Sequence, residues 1–168
     1  EGVKLMRNVK GVMRNTKGEV YPLVCVFVLV IVTVFSVIFT YSSVVTTVKV
    51  QKTNSEIVFD SFVANNSIII FNNIKQGKNA TDGVNTSAYI ENLKEFCTLD
   101  ERSGKLYSID AERNERYSMS IPTVGYTEEG KLELYASYTM YIPIYFAGTR
   151  VSTATVPVKI TSALQSKN

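Results

Sequence analysis

A chain of 168 residues, 45% of them hydrophobic, is long enough for one small domain, and its net charge of +3 is too small to indicate binding of nucleic acid. The chain has no histidine, so it lacks the commonest general base and metal ligand and cannot build a Ser-His or Cys-His nucleophile. Its two cysteines form no CxxC or Cys/His pattern. The sequence therefore predicts no enzyme activity and no catalytic, cofactor-binding or metal site.

The first predicted element is an apolar run from Pro22 to Tyr41, which is uncharged and long enough for one membrane-spanning helix. Cleaved export signals have a shorter apolar core that ends in a small-residue site, so an uncleaved anchor is favoured. Alternating valines would also suit a buried strand, but the run is longer than strands usually are. We expect Pro22 in the first helical turn. Thr33 and Ser36 are the candidate helix-packing residues, because hydroxyl side chains mediate contacts between helices in lipid.

Basic residues before this run indicate its orientation. Arg14 and Lys17 lie within a few residues of the span, so we expect the N-terminus in the cytoplasm and the rest of the chain outside the plasma membrane. Glu1 is not a start residue, and Met13 is the candidate true start. The predicted organisation is a cytoplasmic basic leader at 1–19, a transmembrane helix at 20–43, its extracytoplasmic continuation at 44–76 and an extracytoplasmic α+β domain at 77–168.

The helix is expected to continue beyond the membrane as one element from about Pro22 to Gln76. Apolar residues recur at helical spacing, and Gly77 is the expected C-terminal stop. Residues 65–67, Asn-Asn-Ser, are poor helix formers and are the expected weak point.

A loop is predicted at 77–86, followed by a short helix at 88–97 that covers a sheet. Ser87 is the expected N-cap of this helix. Tyr89, Leu93 and Phe96 are expected on one side of it.

From Lys105 onward the hydrophobic period changes to two, which predicts antiparallel strands with one buried face. Short strands are expected at 105–110 and 117–124, and longer ones at 131–146 and 150–164, with a turn at Gly130. Pro143 and Pro157 cannot donate to a ladder, so each indicates an edge or a bulge. The predicted fold class is α+β: an N-terminal transmembrane helix that continues as a long helix, then a small antiparallel sheet of three or four strands packed on helical segments. On the longest strand the residues expected to share the buried face are Leu132, Leu134, Ala136, Tyr138, Met140, Ile142 and Ile144.

Tyr135, Tyr141 and Tyr145 lie on the polar side of the longest predicted strand. Tyrosine is favoured at interfaces, so the three residues are a candidate contact face. Cross-strand packing is the alternative explanation for the same spacing. Five acidic residues between the short helix and the sheet do not match an EF-hand and are interpreted as a solvated loop.

The stretches "RNTKGEVYPL" at 14–23 and "YIPIYFAG" at 141–148, with one N-terminal span between them, resemble the TadE-like family of tight-adherence pilus proteins from Gram-positive bacteria. The resemblance implies a cell-envelope protein whose membrane helix packs against other pilin-like subunits. It also implies processing by a prepilin-type peptidase between Gly18 and Glu19. Family members tend to have a glutamate about five residues after the cleavage point, where this chain has Leu23, so cleaved and uncleaved leaders both stay open.

Two further function classes are alternatives. A signal-anchored binding or sensory ectodomain would use the tyrosine face for a ligand or partner. A membrane-tethered enzyme is disfavoured by the lack of histidine and of a nucleophile elbow. The expected partners are the lipid bilayer, other pilus-assembly subunits and a prepilin-type peptidase.

Overall fold

The computed structural model describes residues 2–127, 133–146 and 148–163, with side chains described for 21–127, 133–146 and 148–162. The chain divides into two compact units, Glu1–Ser43 and Val44–Asn168. An N-terminal helix precedes an antiparallel sheet and a second helix, so the predicted α+β class is confirmed. The elements are α1 (Gly2–Lys75), α2 (Thr86–Cys97), β1 (Leu99–Arg102), β2 (Lys105–Ile109), β3 (Glu115–Ser120), β4 (Thr123–Thr127), β5 (Glu133–Phe146) and β6 (Thr149–Ala163).

Helix α1 begins much earlier than the sequence indicated. It starts at Gly2, so Pro22 lies inside the helix, and its predicted place in the first turn is wrong. A proline inside a helix removes one backbone hydrogen bond, and here α1 continues on both sides of it.

The C-terminal end of α1 agrees with the prediction. Gly77 has a φ of +65°, and its N–H donates to the carbonyl of Ile74 at 2.9 Å. The N–H of Lys78 donates to the carbonyl of Asn73 at 2.9 Å, which completes a Schellman-type end. The expected weak point does not interrupt the helix. The side chains of Asn66 and Ser67 donate to the carbonyls of Phe62 and Ala64 in the preceding turn.

Strand β5 is the centre of the sheet. Strand β6 pairs with it from Glu133 to Phe146 along one side, while β3 and β4 share the other side end to end. Strands β2 and β1 extend the sheet beyond β3. The predicted strand at 117–124 is therefore two strands, because Ile121 and Pro122 separate β3 from β4. With β1, which the sequence analysis did not predict, the described residues contain six strands and not three or four.

The predicted alternation along β5 is confirmed where its side chains are described. From Leu134 to Ile142 every second residue is buried, and Ile144 is half-buried. Leu132 and the turn at Gly130 lie outside the described residues. Strand β6 pairs only with β5 among the described residues, so Pro157 lies in an edge strand as expected. Pro143 lies on β5 beyond the reach of β3 and β4, where the lack of an N–H leaves no ladder bond unmade.

The core of the second unit lies between the sheet and the part of α1 that follows Val44. Phe59 and Phe62 of α1 contact the ring of Tyr89 on α2, with ring centroids 5.3 and 5.6 Å apart. Tyr89 and Leu93 are fully buried, whereas Phe96, one turn further along the same side of α2, is 54% exposed. The N-cap of α2 is Asn85, whose side chain accepts the N–H of Ser87, so the predicted cap at Ser87 is wrong. Asparagine is as good an N-cap as serine, and the helix simply begins two residues earlier.

Candidate functional site

The first candidate surface is the apolar part of α1. Its side chains from Tyr21 to Tyr41 are almost all exposed within the first unit, and the best 18-residue window has a mean hydropathy of 3.0 with none of it buried. An apolar helix of this kind does not match the buried core helix of a soluble domain. Among the described residues, one helix is thus long and apolar enough to cross a membrane, which is compatible with single-pass anchoring.

Hydroxyl residues form one stripe on this helix. Thr33, Ser36 and Thr40 are three and four residues apart, so they lie on the same helical face. The Thr33 hydroxyl donates to the carbonyl of Leu29 at 2.8 Å, and the Thr40 hydroxyl donates to the carbonyl of Ser36 at 2.8 Å. The threonine hydroxyl protons are therefore satisfied inside the helix, and what remains for a neighbouring helix is close approach and oxygen lone pairs.

The candidate processing residues Gly18 and Glu19 also lie within α1. The backbone there is helical, and the side chain of Glu19 lies outside the described part of the chain.

The second candidate surface is the outer face of the sheet. Tyr135 and Tyr141 both lie there, and each ring has a lysine ammonium 4.3 Å from its centroid: Lys159 over Tyr135 and Lys105 over Tyr141. The Tyr135 ring lies across Gly125 of β4 so closely that a Cβ at this glycine would be 2.6 Å from the ring. The two predicted tyrosines thus belong to one polar, cationic face, and cross-strand packing is part of what they do.

Tyr145 lies outside the regular register that places Tyr135 and Tyr141 on one face. A register shift between Ile144 and Tyr145 pairs Tyr145 with Arg150 near the turn of the β5–β6 hairpin. Its exposed neighbours Phe146 and Val151 are large apolar residues that the sequence analysis did not single out. The two aromatic residues at the end of "YIPIYF" could be noticed in the sequence. Only the strand register shows that they lie beyond the last residue of β5 that pairs with β3 or β4.

A shallow hollow of about 400 Å³ lies on the same outer face. Its polar lining comes mainly from the hydroxyls of β3, β4 and β5 together with Lys159. Ser120, at the end of β3, holds the adjacent strand by accepting the N–H of Thr139 at 3.0 Å. Such a hollow can offer hydrogen bonds to a polar ligand but has no deep apolar wall to enclose one.

A buried polar cluster joins α1 to the sheet. The hydroxyl of Tyr117 donates to Gln51 Oε1 at 2.5 Å, and the hydroxyl of Tyr138 donates to Ser55 Oγ at 2.9 Å. The Gln51 amide lies 3.6 Å from both Cys97 Sγ and Met119 Sδ. These bonds fix the position of the helix on the sheet.

Titratable groups around this cluster are held in their neutral forms. Burial raises the pKa of Tyr138 to about 12 and raises the pKa of Tyr117 as well. Burial also raises the pKa of the Cys97 thiol, which opposes formation of the thiolate nucleophile. The chemistry of the cluster is therefore structural. In the part of the chain that the structure describes, no group of three or more Cys, Asp or Glu residues could hold a metal ion.

No family model, no curated protein and no solved structure matches this chain.

Proposed function

We propose that this chain is a membrane-anchored structural component of a pilus or of a secretion or conjugation apparatus, a TadE-like pseudopilin without enzyme activity. The observation that carries the proposal is the exposed apolar surface of α1 from Tyr21 to Tyr41, on a helix that continues into the core of the second unit. A helix with such a surface needs lipid or other apolar helices around it. The N-terminus is cytoplasmic in this proposal, and the second unit lies outside the plasma membrane.

The mechanism is packing of the span against neighbouring subunits. Helices in lipid associate through close van der Waals contact at small and hydroxyl residues. Most of the surrounding surface consists of valine and phenylalanine side chains. The stripe of Thr33, Ser36 and Thr40 offers small hydroxyl side chains, so a second helix can approach most closely along it. In the proposed assembly, a prepilin-type peptidase removes the leader after Gly18.

Cysteine cross-linking in reconstituted vesicles tests this packing. In a background of Cys25→Ser and Cys97→Ala, the variant Ser36→Cys is compared with Ile38→Cys, which lies on the opposite side of the helix. We expect oxidation to give disulfide-linked dimers of Ser36→Cys in clear excess over Ile38→Cys. The intact mass of the chain purified from a pilus-forming host shows whether it begins at Glu19 or retains the leader.

Equal cross-linking at both positions, or none, would overturn packing through the hydroxyl stripe. If either outcome is found while the chain stays in the membrane fraction, the second candidate function is favoured, an anchored binding or sensory ectodomain. The hydroxyl-lined hollow beside Lys159 is the observation that supports this alternative.

A further inference from the structure

The end of the β5–β6 hairpin is an isolated apolar projection. Residues 143–146 of β5 and 149–153 of β6 pair only with each other in the described part of the sheet. We use the term apolar tip for Tyr145, Phe146 and Val151. The large apolar members of this tip are 47%, 58% and 59% exposed, in chain order. Exposed apolar side chains gathered at one projection indicate a contact that is not present in the isolated chain.

The base of the projection is held firmly. Ile142 and Pro143 are buried beneath it. The guanidinium of Arg150 bridges to Glu115 of β3 at 3.4 Å and donates to the Thr153 hydroxyl at 2.8 Å. Gly148, at a φ of +77°, makes the tight turn. The tip is thus presented by an ordered support.

Contacts within the second unit show which way the hairpin points. Tyr138 of β5 meets Ser55 of α1. Gln51, one helical turn closer to the N-terminus, meets Met119, whose register partner on β5 is Met140. Strand β5 therefore runs antiparallel to this part of α1, and its carboxyl end points toward Val44.

Element lengths bring the tip as far as Val44. The strand from Tyr138 to Phe146 covers about 27 Å at the usual rise of a strand. The helix from Ser55 back to Val44 covers about 16 Å at the rise of an α-helix. Even with a sizeable angle between the strand and the helix axis, the tip reaches the end of the unit where the chain leaves for the apolar span, which ends at Tyr41.

We propose that the apolar tip inserts into the interfacial layer of the membrane that α1 crosses, and so forms a second contact between the extracytoplasmic unit and the lipid; this inference rests on the proposed anchoring. Tyrosine is enriched at the level of lipid headgroups, which suits Tyr145 to this layer. Phe146 and Val151 supply the apolar surface that enters the acyl boundary. The two contacts together limit how far the unit can tilt away from the bilayer.

Tryptophan fluorescence tests the proposal, because the natural chain has no tryptophan. The full chain is reconstituted in phosphatidylcholine–phosphatidylglycerol vesicles as the single variants Phe146→Trp, Phe96→Trp and Phe35→Trp. Phe96 is the matched control, since it is the same residue type at similar exposure and lies beside Ile57, well away from Val44. Phe35 lies in the apolar span and reports on anchoring itself. Lipids brominated near the top of the acyl chain serve as quenchers.

We expect brominated lipid to quench Phe146→Trp strongly and shift its emission to the blue, and to leave Phe96→Trp unchanged. If Phe35→Trp is quenched while Phe146→Trp behaves like Phe96→Trp, the tip inference is overturned and the anchoring proposal stands. If Phe35→Trp is not quenched, the anchoring proposal itself fails. Protection of Phe146→Trp from aqueous iodide without quenching by lipid would show that protein covers the tip, and would also overturn the inference.

Discussion

Two buried tyrosines of the second unit differ in one respect. The hydroxyl of Tyr138 donates to Ser55, whereas the hydroxyl of Tyr89 is buried with no hydrogen-bond partner among the described residues. An unmade hydrogen bond in a buried place costs free energy, and a made one contributes about 1 kcal/mol.

The two phenylalanine substitutions should therefore act in opposite directions. Tyr138→Phe should lower the free energy of unfolding by about 1 kcal/mol, because it removes the 2.9 Å hydrogen bond to Ser55 from a buried cluster. Tyr89→Phe should leave stability unchanged or raise it by up to about 1 kcal/mol, since it removes a buried unpaired hydroxyl. Denaturant unfolding of the detergent-solubilised chain, followed by near-UV circular dichroism, measures both. A loss for Tyr89→Phe equal to that for Tyr138→Phe would contradict this account.

At the scale of elements, the beginning of α2 shows which of two nearby residues caps the helix. Asn85 accepts the N–H of Ser87, while Ser87 lies in the first turn of the helix with its side chain facing solvent. The sequence favoured Ser87, because serine is a strong N-cap, but asparagine is equally strong and lies two positions earlier.

Alanine substitutions distinguish the two residues. Asn85→Ala should destabilise the chain by about 1 kcal/mol, because an N–H of the first turn loses its acceptor. Ser87→Ala should change stability by less than about 0.5 kcal/mol, as surface substitutions usually do. Thermal unfolding measured on both variants under the same conditions gives the comparison. A larger effect at Ser87 would show that the helix begins where the sequence analysis placed it.

At the scale of the whole molecule, stability should depend on pH in the alkaline range. Tyrosine in an unfolded chain loses its proton near pH 10, and burial raises the pKa of Tyr138 to about 12 and also those of Tyr89 and Tyr117. Between these pH values the unfolded chain binds fewer protons than the folded chain, so the stability that is complete below about pH 10 falls as pH rises toward 12. Unfolding free energies measured from pH 8 to 12 should show this fall, with a shallower slope in Tyr89→Phe. A flat profile above pH 10 would count against burial of these phenols.

The whole fold also shows how far sequence reasoning extends. The alternation along β5 and the stop at Gly77 were readable because each rests on a local pattern. The cluster of Gln51, Ser55, Tyr117 and Tyr138 was not, because its partners lie more than sixty residues apart and meet only through the fold.

The strand break at Pro122 and the apolar tip were missed for a related reason. Each depends on how β5 is shared between β3, β4 and β6, and pairing of this kind leaves no periodic signal in a single strand. Tyr135 and Tyr141 could be placed on one face from the sequence, but the lysines over their rings come from other strands.

Pro22, four residues after Gly18 inside α1, has a consequence for the backbone at the predicted cleavage point. In an α-helix the N–H of residue i+4 donates to the carbonyl of residue i, and proline has no N–H to give. The acceptor left without this donor is the carbonyl of Gly18, which is the carbonyl of the Gly18–Glu19 peptide bond itself. At this one bond a peptidase would have no i+4 hydrogen bond to break before polarising the carbonyl, whatever side chain stands at position 23.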